Sequence, residues 1–200
     1  SGEITLGEAK AQKLIHTATM VKKMSSLSQL GSGSSCRSFY SPWALWSEEG
    51  ASPVDFPGFA NLIHFVVVVE DQKKKVSSSQ AHRQVPTSLL FSGRAERANQ
   101  RVVDFTQALK HNSWRKAFEI AWAEMWDMHA LFETSQPPFG YMTEKSLAVL
   151  RIIQNHWEKT GNGPLVTMDA GANIHMLFVA SDPGLISYLQ KDFRVIGRNT

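Results

Sequence analysis

Two short segments of this 200-residue chain carry residue types that together could act on a phosphorylated substrate. Residues 31–38, GSGSSCRS, offer glycines that let main-chain N–H groups converge on an anion, and serine hydroxyls beside them. In the same segment, the guanidinium of Arg37 can bind two oxygens at once. Residues 167–173, TMDAGAN, place Asp169 after an apolar run and before a tight turn. If folding brings them together, these segments form an anion-binding loop that faces a carboxylate.

Each segment also has a structural interpretation, which the sequence leaves open. Residues 31–38 could be a flexible linker, and they are not a Walker loop because no Gly-Lys-Ser/Thr follows. Asp169 could be a turn aspartate whose side chain caps Gly171 or Asn173. In the functional interpretation, Asp169 orients a substrate hydroxyl and accepts its proton only as the bond to phosphorus forms. A carboxyl group with an ordinary pKa of about 3.9 is too weak a base to remove that proton in advance.

Composition narrows the classes of partner. Hydrophobic residues make up 42% of the chain, charged residues 20%, and the net charge is +3. The basic residues are scattered apart from the lysines at 73–75, which we interpret as a solvated turn, so we expect no nucleic-acid partner. We also expect no membrane partner, because the longest apolar stretch, 65–69, is far too short to span a bilayer. The single cysteine, Cys36, excludes an intrachain disulfide and favours a cytoplasmic location.

Hydrophobic periodicity predicts an α+β fold in which helices cover one face of an antiparallel sheet. The predicted helices cover 5–24, 38–46, 86–111, a stretch from Ser113 to the prolines at 137–138, 143–159 and 183–191. The predicted strands cover 62–70, 76–80, 165–168, 174–180 and 193–196. We expect the segments 25–38 and 48–58 to lack regular structure. The aromatic stripe of the helix after Ser113 is interpreted as core, and His129 beside it as a hydrogen-bonded helix histidine. The seven histidines show no spacing typical of a metal site, so we predict no metal-binding residues.

Several segments, taken in order, resemble the mevalonate diphosphate decarboxylases of the GHMP-kinase superfamily. They are residues 31–38 (GSGSSCRS), 75–79 (KVSSS), 129–130 (HA), 137–138 (PP), 141–142 (YM) and 167–173 (TMDAGAN). The resemblance covers about residues 25–182, and the first and last strings are its most specific parts. It implies the ferredoxin-like C-terminal domain of that superfamily over 47–200. Residues 1–46 would then be the remnant of a ribosomal S5-like N-terminal domain, carrying the substrate loop.

The resemblance also implies an activity. Enzymes of this family use ATP and Mg²⁺ to phosphorylate the 3-hydroxyl of mevalonate 5-diphosphate. Loss of that phosphate together with carbon dioxide then gives isopentenyl diphosphate, an isoprenoid precursor. A homodimer is compatible with the family. The chain is expected to be a fragment that is inactive alone, with the ATP site mostly on a segment that precedes it.

By position in the matching motifs, Asp169 would be the catalytic aspartate, and Arg37 would hold the substrate carboxylate. The remaining implied substrate-binding residues are Ser32, Gly33, Ser34, Ser35, Cys36, Ser78 and Ser79. The chain departs from the family at residues 80–82 (QAH), at 124–126 (EMW) and at Ala172, where the family has proline. Two alternatives therefore stay open. One is a related small-molecule kinase that does not decarboxylate its product, and the other is a non-catalytic relative that binds a diphosphate or a partner chain.

Overall fold

Two structural units divide the chain, Ser1–Ala60 and Asn61–Thr200. The computed structural model describes residues 6–31, 34–47, 49–70 and 76–198. The assignment of 1–46 to a remnant domain and of 47–200 to a C-terminal domain stays a prediction.

The first unit consists of a long helix, a short 3₁₀ helix and a hairpin. Helix α1 spans Leu6–Gly31, the 3₁₀ helix spans Ser35–Phe39, and the strands β1 (Trp43–Ser47) and β2 (Gly50–Val54) pair antiparallel. A second 3₁₀ helix, Pro57–Phe59, follows the hairpin, and the Nε1 of Trp43 donates a hydrogen bond to the Phe59 carbonyl over 2.9 Å.

The predicted break after residue 24 is wrong, because α1 continues to Gly31. The helix accommodates serines because their hydroxyls donate hydrogen bonds to main-chain carbonyls of the preceding turn. Ser26 Oγ donates to the Lys22 carbonyl over 3.0 Å, and Ser28 Oγ donates to the Ser25 carbonyl over 2.8 Å.

The predicted helix over 38–46 and the predicted loop over 48–58 are also wrong, because much of this region forms the β1–β2 hairpin. Pro42 disfavours helical backbone at the residue before it, and tryptophans such as Trp43 and Trp46 favour strands. The pairing of these residues with Val54 and Ala51 lies beyond the range of a local pattern.

The second unit is built on a four-stranded antiparallel sheet, which confirms the predicted α+β fold. Its strand order is β4 (Leu165–Thr167), β5 (Ile174–Phe178), β3 (Ile63–Val68) and β6 (Arg194–Arg198). The face that supplies the core contains buried side chains at alternating positions, namely Phe65, Val67, Val166, Ile174, Met176 and Phe178. Gly197 lies opposite Phe65, and a Cβ there would come within 2.6 Å of the His64 carbonyl oxygen. Only glycine lets β6 approach β3 at this point.

Five helices complete this unit. They are α2 (Ser78–Gln84), α3 (Arg94–Lys110), α4 (Trp114–Glu133), α5 (Glu144–Thr160) and α6 (Pro183–Leu189). The predictions for α4, α5 and α6 are confirmed to within a few residues at the ends. Within the described residues, every helix is too short or too polar to traverse a lipid bilayer.

Two helix predictions in this unit need correction. Residues 76–80 are not a strand, because Ser77 caps α2 and forms a reciprocal capping box with Gln80. The predicted helix over 86–111 begins later, at Arg94, after a short 3₁₀ turn at Val85–Thr87 and after Gly93 at φ 69°. That positive φ suits glycine and separates α3 from the preceding turn.

The predicted aromatic core of α4 is confirmed in part. Phe118, Met125 and Phe132 are buried, and Phe118 stacks on Trp157 of α5 with ring centroids 4.3 Å apart. Trp157 Nε1 donates to the Pro164 carbonyl over 2.9 Å. The core therefore joins α4 and α5 to the residues that lead into β4.

An ion-pair network holds α3 against α4, where α3 contributes only Ala108 and Leu109 as buried residues. Arg97 donates two hydrogen bonds to Asp127, over 3.0 and 3.1 Å, and Arg101 binds both Asp127 and Glu124. The hydrogen bond from Arg97, with further support from Arg101 and Arg94, lowers the pKa of Asp127 to about 2. The fold therefore favours the ionised form of Asp127.

Replacing Asp127 tests this network. We expect Asp127→Asn to lower the free energy of unfolding at pH 7 by about 1–3 kcal/mol, because charge-assisted hydrogen bonds are lost. The wild-type contribution should be fully present above pH 4 and disappear as the pH falls towards 2, because the folded pKa lies below its ordinary 3.8. Urea unfolding followed by circular dichroism at several pH values measures both effects.

The matched control is Glu119→Gln, because Glu119 pairs with Arg115 and Lys116 at exposed positions. This change should cost less than about 1 kcal/mol. Equal losses for the two variants would show that the network adds nothing beyond an ordinary surface pair.

Candidate functional site

The loop between β4 and β5 carries Asp169 on a firmly held main chain. The Gly171 N–H donates to the Asp169 carbonyl over 2.7 Å, which closes the predicted tight turn. On one side, the fully buried Ser146 of α5 donates from Oγ to the Ala172 carbonyl over 2.9 Å. On the other side, Asn173 Oδ1 accepts hydrogen bonds from Val69 N and Glu70 N over 2.9 and 3.2 Å. The Asp169 residue itself is exposed.

An aromatic cluster lies beneath this loop. Phe132 and Tyr141 are buried together with Ala81, and Ala170 packs against them. His129 meets Phe132 edge-on with ring centroids 5.3 Å apart, and meets Tyr141 at 6.4 Å. The residue that follows Asp169 therefore rests on the same cluster that encloses His129.

The electrostatics of the cluster reflect its burial and the neighbouring carboxylate. Burial lowers the pKa of His129 to about 4, against the opposing effect of the Asp169 carboxylate and main chain. Burial, reinforced by the negative charge of Asp169, raises the pKa of Tyr141. At neutral pH the His129 ring is therefore uncharged and the Tyr141 hydroxyl keeps its proton.

The predicted substrate serines Ser78 and Ser79 lie in the first turn of α2, where both are exposed. Ser77 supplies the cap of this helix, so its hydroxyl is already used. Tyr141 Oη donates to the Val76 carbonyl over 3.0 Å, which ties the start of α2 to the cluster below Asp169. Through Tyr141 and Ala81, the same buried cluster therefore supports the loop of Asp169 and the helix that carries Ser78 and Ser79.

A cavity of about 330 Å³ lies beside α2. Its lining residues are Val76, Gln80, Arg83, Gln84, Thr87, Gln136 and Pro137. Among the described residues, none of those predicted from the sequence to bind substrate lines this cavity. Thr87 Oγ1 bonds the Gln84 carbonyl, and Gln84 Nε2 bonds the Pro137 carbonyl, so much of the polar lining is engaged within the fold.

In the first unit, the segment that carries Arg37 is fastened to α1. Ser25 Oγ donates to the Cys36 carbonyl and Ser35 Oγ donates to the Ser28 carbonyl, each over 2.8 Å. Arg37 is exposed, and its guanidinium lies over the Trp46 ring, 5.5 Å from the centroid. Ser34 is exposed, Ser35 is half-buried, and Cys36 is completely buried.

The structure leaves some of the sequence predictions untested. Ser32, Gly33 and the lysines at 73–75 lie outside the described residues. That Arg37 and Asp169 line one pocket stays a prediction, as do the roles assigned to all the candidate site residues.

Sequence reasoning missed the supports of Asp169. Ser146 and Asn173 give no sequence signal beyond their polar type, because both act on main-chain groups distant in sequence. The expectation that His129 is a hydrogen-bonded histidine is confirmed, because its ring has a hydrogen bond to the Asp169 main chain. Its buried Nε2 has no hydrogen-bond partner among the described residues.

Comparisons with known proteins match this chain to mevalonate diphosphate decarboxylases. Residues 64–198 match the family described as mevalonate 5-diphosphate decarboxylase C-terminal domain. The diphosphomevalonate decarboxylase of Gibberella zeae is 30% identical over 177 residues, which cover 82% of this chain and 46% of that protein. The chain therefore spans about half the length of the curated relatives it matches.

Solved structures agree with the sequence comparisons. A mevalonate diphosphate decarboxylase from Legionella pneumophila is 39% identical with a TM-score of 0.81, covering 88% of this chain and 57% of that one. MDDEF in complex with MVAPP, AMPPCP and magnesium is 26% identical with a TM-score of 0.80 and the same coverage. These matches confirm the resemblance that the sequence motifs predict.

The burial of Cys36 leads to a reactivity prediction. We expect its thiol to resist the thiol reagent DTNB in the native protein and to react fully in denaturant, because a completely buried thiol has no access to the reagent. Ser25→Ala should speed the native reaction severalfold, because it removes the hydrogen bond that holds the Cys36 carbonyl. Ser26→Ala, at an exposed position on the same helix, is the control. Rapid labelling of the native wild-type protein would contradict the prediction.

The lowered pKa of His129 leads to a stability prediction. The unfolded chain takes up a proton near pH 6.5 whereas the folded ring does so near 4, so stability should fall as the pH drops between these values. We expect His129→Leu to show a shallower decline in the free energy of unfolding from pH 6.5 to 4. His64→Leu is the comparison and should also make the decline shallower, because burial and His175 lower the pKa of His64. A decline in His129→Leu as steep as in the wild type would contradict the assignment.

Proposed function

Because the chain belongs to the mevalonate 5-diphosphate decarboxylase C-terminal domain family, we propose that it forms the substrate-binding and carboxylate-bearing part of a mevalonate 5-diphosphate decarboxylase. The reaction is the ATP-dependent conversion of mevalonate 5-diphosphate to isopentenyl diphosphate. The observation that carries the proposal is the exposed Asp169 on a loop held by Ser146 and Asn173, within the segment that matches the family.

In this proposal Asp169 is the catalytic residue. Its carboxylate orients the 3-hydroxyl of the substrate and accepts the proton as the bond to phosphorus forms. Asp169 returns that proton to the departing phosphate, and its restored carboxylate stabilises the positive charge that develops at the tertiary carbon. Both tasks require a loop with a fixed main chain. The hydrogen bonds that Ser146 and Asn173 make at the end of the loop favour such a loop.

The remaining candidates have binding roles in the proposal. Arg37 holds the substrate carboxylate, for which the two-pronged guanidinium is suited. Ser78 and Ser79 offer exposed hydroxyls at the start of α2. The segment that carries Arg37 binds the diphosphate through main-chain N–H groups and serine hydroxyls. Cys36 takes part only through its main chain, because its side chain is completely buried.

ATP with Mg²⁺ supplies the phosphoryl group in this reaction. MDDEF has been solved in complex with MVAPP, AMPPCP and magnesium, which supports the same needs here. In the part of the chain that the structure describes, no three His, Cys, Asp or Glu side chains cluster as a metal site. Mg²⁺ held by phosphate oxygens and waters requires only one or two protein carboxylates, so its use does not depend on such a cluster. The homodimer and the cytoplasmic location stay predictions.

Two departures from the family motifs have structural explanations, so neither of them speaks against decarboxylation. Gln80 completes the capping box of α2 with Ser77, and Glu124 binds Arg94 and Arg101 in the network between α3 and α4. Neither change introduces a group that competes with Asp169.

The proposal is tested in the complete protein with mevalonate 5-diphosphate, ATP and Mg²⁺. We expect one ADP and one CO₂ per substrate consumed, and we expect Asp169→Asn to lower kcat by at least about a thousandfold, because the amide neither accepts the proton nor stabilises positive charge. Arg37→Ala should mainly raise KM for the substrate. Arg83→Ala, on the cavity beside α2, is the matched control and should keep wild-type kinetics, because Arg83 has no role in the proposal.

The alternatives give different results in the same assay. ADP release without CO₂ would indicate a kinase that does not decarboxylate its product. A substrate-induced rise in melting temperature without ADP release would indicate a non-catalytic diphosphate-binding relative. Wild-type kcat in Asp169→Asn would remove Asp169 from the mechanism.

A further inference from the structure

His129 is a buried histidine with an unpaired nitrogen next to the proposed catalytic loop. Its side chain is almost completely buried, at 3% exposure, and Nε2 has no hydrogen-bond partner among the described residues. The rings of Phe132 and Tyr141 enclose it edge-on, and Ala170, the neighbour of Asp169, packs on those same two residues.

An unpaired polar atom of this kind opposes folding. Burial strips water from the nitrogen, and no protein group replaces the lost hydrogen bond. A leucine would fill similar space among Phe132 and Tyr141 without that cost, in exchange for the hydrogen bond between the ring and the Asp169 main chain. The unpaired nitrogen at this position therefore calls for an explanation other than the stability of the fold.

Resting on the proposed function, we propose that His129 is a positioning residue for Asp169, and that Nε2 takes an oxygen of Asp169 as its hydrogen-bond partner when substrate is bound. The ends of the loop are fixed by Ser146 and Asn173, so an adjustment of the turn at 169–171 is sufficient to form this bond. Tyr141 packs against the His129 ring and donates a hydrogen bond to the Val76 carbonyl, so the side chain that supports the His129 ring is itself held in place.

The charges near His129 are compatible with this role. Asp169 and Tyr141 are the titratable groups that the electrostatics connect to this cluster, and burial keeps the ring uncharged at neutral pH. An uncharged ring with its proton on Nε2 can donate to Asp169 without neutralising the carboxylate. The negative charge that the proposed mechanism requires is thereby preserved.

The proposal predicts effects of opposite sign on stability and on catalysis. In the complete protein at pH 7.5, we expect His129→Leu to keep or raise the melting temperature, because the unpaired nitrogen is gone. The same change should lower kcat by roughly ten- to a hundredfold, the effect of losing one hydrogen bond to a charged group. KM for mevalonate 5-diphosphate should stay within about twofold, because the bond matters after binding.

Three further variants make the experiment decisive. His129→Gln places an amide nitrogen near the position of Nε2 and should recover a large part of kcat. His64→Leu makes the same substitution on the sheet, where His64 bonds His175, and should leave kcat unchanged. Asp169→Asn measured alongside reports on the proposed function itself.

The possible outcomes separate the two ideas. Wild-type kcat in His129→Leu, with Asp169→Asn inactive, would overturn the positioning role and leave the proposed function standing. A fall in melting temperature in His129→Leu, or failure of that variant to fold, would show an ordinary structural histidine and would also overturn the role. A wild-type protein without turnover, or an active Asp169→Asn, would overturn the proposed function.

Discussion

The candidate site depends on the hydrogen bonds that fix the six-residue loop between β4 and β5, 168–173, to elements that are distant in sequence. Ser146, at the start of α5, donates a hydrogen bond to the Ala172 carbonyl. The Val69 N–H, just after β3, donates a hydrogen bond to the Asn173 side chain. Both anchors are uncharged and partly or fully buried, so salt and pH in the neutral range affect them little. The position of the Asp169 carboxylate is therefore set by the packing of α5 on the sheet.

Helix α5 is itself held by contacts on both sides. Trp157 and Phe118 stack across α4 and α5, and Trp157 also binds the Pro164 carbonyl just before β4. The same helix thus holds both ends of the segment that leads to Asp169, through Trp157 at one end and Ser146 at the other. The core and the candidate site both depend on α5, so a substitution in this core should also shift the position of the Asp169 carboxylate.

The sequence predicts best those features that are local. The start of α5 next to Thr143, the apolar run of β3 and the turn after Asp169 each follow from a few neighbouring residues. The hairpin of β1 and β2 and the capping of α2 by Ser77 were mispredicted, because a partner strand or a short polar cap outweighs local hydrophobicity. The hydrogen bonds of Asn173 could not be predicted, since they join residues more than a hundred positions apart.

The buried polar side chains of the second unit differ in whether they have hydrogen-bond partners. Ser146 and Trp157 are buried and each has a partner, so their polarity stabilises the fold. His129 is buried in the same unit, and its Nε2 is the one buried side-chain nitrogen or oxygen recorded without a partner within the described residues. Physical chemistry favours an apolar side chain at such a position unless another state of the protein provides the missing bond. In the proposed positioning role, the substrate-bound site, with Asp169 close by, is that state.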